Sequence, residues 1–119
     1  MSRSKENKAQ FIQQLRDAVK AMESNAPVIP ASLADQFSPF NCLAILSQDP
    51  HATNCAGFHA WRSAGRQVKK GSKGLAILIP LGVGDDDKPR FSWRYVFDIT
   101  STQEIDANSP ATLRELVGA

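Results

Sequence analysis

Apolar residues recur at helical spacing in the first half of the chain and at strand spacing in the second, and this switch organises the fold. Phe11, Ile12, Leu15, Val19 and Met22 share one side of a helix drawn through Lys5–Ser24, with Lys8, Gln14 and Asp17 left to solvent. Residues 25–31 hold two prolines and no period, which predicts a connector. Ser38 followed by Pro39 has the form of an N-cap with proline at the first helical position. It opens a short, mostly buried helix through Phe40, Leu43, Ala44 and Leu46 that stops before Pro50. A third helix is expected over 57–64, ending where Gly65 can take the left-handed conformation of a C-terminal cap.

The period then shortens. Leu75–Ile79 is an unbroken apolar run of strand length and predicts a central strand. Gly82–Pro89, holding Asp85, Asp86 and Asp87, is a polar loop of hairpin length leading into a second strand, Arg90–Thr100. Along that strand Phe91, Trp93, Tyr95, Phe97 and Ile99 alternate with Arg90, Ser92, Arg94, Val96 and Asp98, which predicts one aromatic face and one mostly polar face. Two strands make a marginal sheet, so a further short strand is expected near Arg66–Val68. Ser109–Pro110 repeats the cap-then-proline signal, and Leu113, Leu116 and Val117 supply the stripe of a last helix. Helices flanking antiparallel strands, without βαβ alternation, predict an α+β fold of three to four helices packed on a small antiparallel sheet.

A length of 119 residues with 42% hydrophobic content predicts one domain over 1–119, with residues 1–4 and 118–119 loose. The chain has no apolar run long enough to span a membrane and no apolar stretch near its start, which points to a cytoplasmic protein. Cys42 and Cys55 lack C-x-x-C spacing and read as reduced, partly buried thiols. The net charge of +2 names no partner, but its distribution does more. Between Pro50 and Gly84 there is no acidic residue, while Arg62, Arg66, Lys69, Lys70 and Lys73 all lie there. A basic field in a mildly acidic body suggests an anionic ligand, nucleic acid above all.

The densest chemistry is Gly57-Phe58-His59-Ala60-Trp61-Arg62 followed by the run from Gly65 to Gly74. A glycine-rich turn with Lys69, Lys70 and Lys73 supplies cations and approachable backbone N–H groups for phosphate, and Arg62 and Arg66 add forked contacts. A solvated surface turn would look the same. Phe58, Trp61, Trp93 and Tyr95 are candidate stacking platforms for unpaired bases, with Arg94 beside them. Aromatics at period two on a strand also serve as core, the expected role of Phe91, Phe97 and Ile99. Zincin, P-loop and nucleophile-elbow motifs are absent. His51 and His59 have no third ligand, and the three adjacent aspartates lack the alternation of an oxygen cage. No catalytic residue, metal or cofactor is expected.

Several of these residues also form a familiar block. Phe40-Asn41, Gln48-Asp49-Pro50, Ala52-Thr53, Ala56-Gly57-Phe58, Trp61, the run from Gly65 to Gly74 and Val96-Phe97-Asp98 resemble the N-terminal domain of ArdC-type antirestriction proteins over about Phe37–Gln103. The resemblance implies binding of single-stranded DNA and a part in protecting plasmid or phage DNA in a recipient cell. Full-length relatives continue into a zinc metalloprotease-like domain, which has no counterpart in these 119 residues, so no protease activity is carried over. After Asp98 the chain reads Ile99-Thr100-Ser101-Thr102-Gln103, departing from the Gln-Thr pair usual in the family. The expected function is thus a single-stranded DNA-binding module. The alternative is a protein that inhibits a host restriction or defence enzyme without touching DNA; DNA mimicry, at least, would demand a strongly acidic chain.

Overall fold

The computed structural model describes residues 5–105, with side chains from Lys8 onward. The expected C-terminal helix and loose ends therefore lie outside the described residues. Four helices and five short strands follow in the order α1 (Lys5–Glu23), α2 (Ala31–Ala34), α3 (Pro39–Gln48), β1 (Cys55–Ala56), α4 (Phe58–Ser63), β2 (Arg66–Val68), β3 (Leu75–Val83), β4 (Pro89–Asp98) and β5 (Thr102–Glu104), with a 3-10 turn over Ile99–Ser101. This is an α+β arrangement, as the pattern predicts. The local signals that place its helices are also observed. Ser38 caps α3 by accepting the Asn41 N–H, Pro39 opens the helix, and Gly65 follows α4 with φ +84°. The short helix α2 falls just after the proline connector, where the sequence shows no period.

The strands form two antiparallel sheets, one ordered β1-β4-β3 and one pairing β2 with β5. The strand expected at Arg66–Val68 exists, but it joins β5 and not the main sheet, with Val68 opposite Thr102. The larger correction concerns β3. Its apolar run suggested a central strand, yet in hydrogen-bonding order it is an edge strand and β4 is the central one. Its first half, Leu75–Leu78, is apolar throughout because both faces are covered there, whereas Pro80–Val83 are exposed. Leu75 and Ile77 join Leu33, Cys42, Ile45, Cys55 and Val96 on one side, while Ala76 and Leu78 join Leu15, Val19 and Ala44 on the other.

Helix α3 reaches both cores because it lies along the free edge of β3. Two of its polar side chains, seven positions apart and so on one helix face, replace a missing strand. The Gln48 amide donates to the Ala76 carbonyl and accepts its N–H, at 2.8 and 2.9 Å. The Asn41 amide does the same for Leu78, at 2.9 Å in both directions. The next residue facing that edge is Pro80, which has no N–H to offer. The edge is thus closed at three successive outward positions, which guards against strand-to-strand aggregation.

The expected division of β4 into an aromatic and a polar face also changes. Val96 and Asp98, on the nominally polar face, are buried. Trp93, on the aromatic face, packs against α1 through Phe11, with ring centroids 4.6 Å apart. Asp98 is only 2% exposed and organises the junction of the sheet with the loop before β1. Its carboxylate accepts the N–H groups of Thr53, Asn54 and Thr100 and the Thr100 hydroxyl. Burial alone would raise its pKa, but those hydrogen bonds prevail and hold the carboxyl below its ordinary value. Beside it, burial and then the Asp98 charge push the Cys55 thiol up to about 12. Cys55 and Cys42 are both free and buried, as expected.

Candidate nucleic-acid interface

The site lies where the start of α4 meets the end of the β4 strand. Gly57 caps α4 in an extended conformation, so Phe58 emerges at the first helical position and Arg62 one turn later on the same face. Arg62 stands over the Phe58 ring, with its guanidinium carbon 5.9 Å from the ring centroid. Across from them Arg94 projects from β4, while Tyr95, opposite Ala76, turns its ring to the other face of the sheet. A groove of about 570 Å³ runs between the two elements, lined chiefly by Phe58, His59, Arg94, Tyr95, Phe37 and Gln36. Phe58 is 43% exposed and Tyr95 48%, which leaves both rings accessible.

Tyr95 joins this groove to the basic turn. It lies against Gly74, where a Cβ would meet the tyrosine Cβ at 2.9 Å and its ring at 3.0 Å. Glycine is therefore required at 74 by close approach, and it lets the ring lie flat on the strand with part of its surface open. Gly71 makes the turn itself, with φ +85°. Of the turn's cations, Lys70 and Lys73 are exposed and, among the described residues, have no partner. Lys69 is tied down. Its N–H donates to Ser101 at 2.8 Å and its ammonium reaches the Thr100 carbonyl at 3.4 Å.

Several sequence-predicted candidates prove to be framework. Trp61 is 6% exposed, and its indole N–H donates to the Phe97 carbonyl at 2.8 Å, so it fastens α4 to β4 and has no free face for a base. Its helical position turns it inward while Phe58 and Arg62 turn outward. Trp93 is half-buried beneath α1, with Phe11 against its ring. Arg66 donates to the Thr102 hydroxyl at 2.7 Å and its carbonyl at 3.3 Å, bracing the β2–β5 pair. The structure thus brings Phe58, Arg62, Arg94 and Tyr95 to one groove, adds His59 and Gln36, and leaves Lys70 and Lys73 on the turn beside Tyr95. His59 meets Phe58 edge-on, with centroids 5.4 Å apart. No sequence signal distinguished it from an ordinary surface histidine. The aspartate run sits at the hairpin tip as expected, where Asp86 pairs with Arg90 at 3.8 Å. Among the described residues, no group of three or more His, Cys, Asp or Glu is placed to hold a metal, and no helix is long and apolar enough to cross a membrane.

Comparison with known proteins gives three findings. The fold resembles the crystal structure of the antirestriction protein ArdC from plasmid R388, in a Mn(II)-bound form, with a TM-score of 0.55 at 17% identity over 79% of this chain and 40% of that one. An uncharacterised protein of Bacillus anthracis is 43% identical over 44 residues, 37% of this chain and 8% of its own length. The chain thus spans well under half of either relative. A family model built on the N-terminal domain of the anti-restriction factor ArdC matches residues 4–112, nearly the whole chain. A match of that extent, on a fold of the same kind, establishes that this chain belongs to the family of ArdC N-terminal domains.

Proposed function

We propose that this domain binds single-stranded DNA with little sequence preference, as a non-catalytic module acting in the cytoplasm on DNA of a mobile element in an antirestriction setting. One observation carries the reading. The exposed Phe58 ring and Arg94 share a groove that Tyr95 also lines, the exposed Tyr95 ring lies on the other face of β4 over Gly74, and the free lysines 70 and 73 belong to the turn that Gly74 ends. Rings supply stacking for bases of any identity, and cations beside them supply phosphate contacts, the two ingredients of sequence-tolerant single-strand binding. Belonging to the family supports the antirestriction setting.

The test is fluorescence anisotropy with labelled single-stranded and duplex oligonucleotides of one sequence. The single strand is expected to bind more tightly, because stacking needs bases released from their partners. Phe58→Ala and Tyr95→Ala should each weaken binding by about 1–3 kcal/mol with the circular dichroism spectrum unchanged. Equal affinity for both forms, or none for either, overturns the reading and leaves the inhibitor of a host defence enzyme as its successor.

A further inference from the structure

We infer that the open edge of β4 reads unpaired bases, its main-chain N–H and C=O groups at Tyr95 in the groove, and at Trp93 farther along the strand, hydrogen-bonding the Watson–Crick edges of bases laid along that edge. The inference rests on the single-strand reading above and specifies what the groove recognises.

The direction of these groups follows from the ladder. Ala76 and Leu78 turn their N–H and C=O toward α3, where Gln48 and Asn41 take them. Their cross-strand partners are Tyr95 and Trp93. In an antiparallel pair, residues opposite each other turn their polar groups inward together or outward together. Tyr95 and Trp93 therefore direct theirs away from β3. Phe97, two residues on, confirms the sense, since its carbonyl accepts the Trp61 indole N–H on that same side. β1 covers β4 only opposite Phe97 and Asp98. Beyond it, among the described residues, nothing pairs with the outward groups of Tyr95 and Trp93, and Tyr95 itself lines the groove shared with Phe58, His59 and Arg94.

The two edges of this sheet are treated differently. The β3 edge is closed by two amide side chains and a proline, whereas the β4 edge is left open beside the exposed rings. Each outward residue offers one donor and one acceptor near the plane of the sheet. Every base carries the complement on its Watson–Crick edge: N1 and N6–H in adenine, N3 and N4–H in cytosine, O6 and N1–H in guanine, O4 and N3–H in thymine. A strand edge can therefore satisfy any base, but only an unpaired one. The same geometry accounts for strand selectivity and for weak sequence preference. An extended peptide also pairs with open edges, but a rim of Arg94, Arg62, Phe58 and Tyr95 suits bases joined by phosphates better.

The experiment compares a thymidine oligonucleotide with its counterpart methylated at N3 of every thymine, using the full chain. Methylation blocks the Watson–Crick edge while leaving rings and phosphates in place. Anisotropy should show binding of the unmodified strand and roughly tenfold weaker binding of the methylated one, the scale of one to two lost hydrogen bonds. In ¹H–¹⁵N spectra, the Tyr95 and Trp93 amides should shift and gain exchange protection with the unmodified strand only. Equal affinity for the two strands, or amides that do not respond, overturns the edge reading and leaves stacking intact. Failure of either strand to bind removes the single-strand reading itself, and this inference with it.

Discussion

Among the described residues, Asp98 gathers the most side-chain hydrogen bonds, one buried carboxylate joining β4, the loop at Thr53–Asn54 and the 3-10 turn. Replacing it by Asn keeps the shape but removes the charge from at least four hydrogen bonds. Asp98→Asn should therefore destabilise the fold by about 2–3 kcal/mol, measured by urea denaturation at neutral pH. The sign of the pH dependence follows from the lowered pKa. The folded state binds the Asp98 proton more weakly than the unfolded chain, whose carboxyl titrates near about 3.9. Its contribution is fully present above that pH and is lost as pH falls through the lower folded value. The wild-type denaturation midpoint should drop across this acid range, and the Asn variant should drop less. Trp61 gives the complementary lesson. Its place in the family-like block reflects fastening of α4 to β4, so its loss would act on the fold before it acted on any ligand.

At the scale of elements, the distinctive feature is a helix that serves as a strand. Asn41 and Gln48 each give β3 a donor and an acceptor, so either loss leaves an N–H and a carbonyl of a buried residue unmatched. Asn41→Ala and Gln48→Ala should each cost about 1–3 kcal/mol. The sites touch different residues of β3, and their effects should nearly add in the double variant. Opening the edge should also promote association between copies, visible as rising light scattering at concentrations where the wild type stays dispersed. If both variants keep wild-type stability and dispersion, the amides are incidental to closing the edge. This explains why an edge strand has the sequence of a central one. Periodicity reports how many faces of a strand are covered, not how many of its edges are paired.

For the whole molecule, the decisive property is where charge is free to act. Five cations lie between Pro50 and Gly84, but Arg66 and Lys69 already engage backbone carbonyls near the 3-10 turn and β5. The cations left for the proposed phosphate contacts are Lys70 and Lys73, with Arg94 on the groove face of β4. Changing Lys70 and Lys73 together to Gln should reduce the slope of log affinity against log salt by about 1.4, taking about 0.7 per contact on single strands. Binding should weaken alike for every sequence, since phosphate contacts position a strand without reading it. Stability should hardly move, because exposed turn lysines contribute little to folding. An unchanged slope would mean that the turn is a solvated connector and that Arg94 and Arg62 carry the charge.

What the sequence determined by itself is local. The N-cap at Ser38, the helix end at Gly65, the hairpin around the aspartates and the apolar run of β3 each depend on conformational preferences of a few neighbouring residues, and each is where its signal placed it. The basic turn and the candidate aromatics were legible as residue types for the same reason. Tertiary structure alone decided which of them face solvent. Trp61 and Phe58 are three positions apart on one short helix, and only the packing of that helix against β4 buries the first and exposes the second. It also decided that β3 is an edge, that Asn41 and Gln48 close it, and that the outward side of β4 at Tyr95 stays open. Those outcomes depend on contacts between residues dozens of positions apart, which a pattern read over a few turns or strand lengths does not contain.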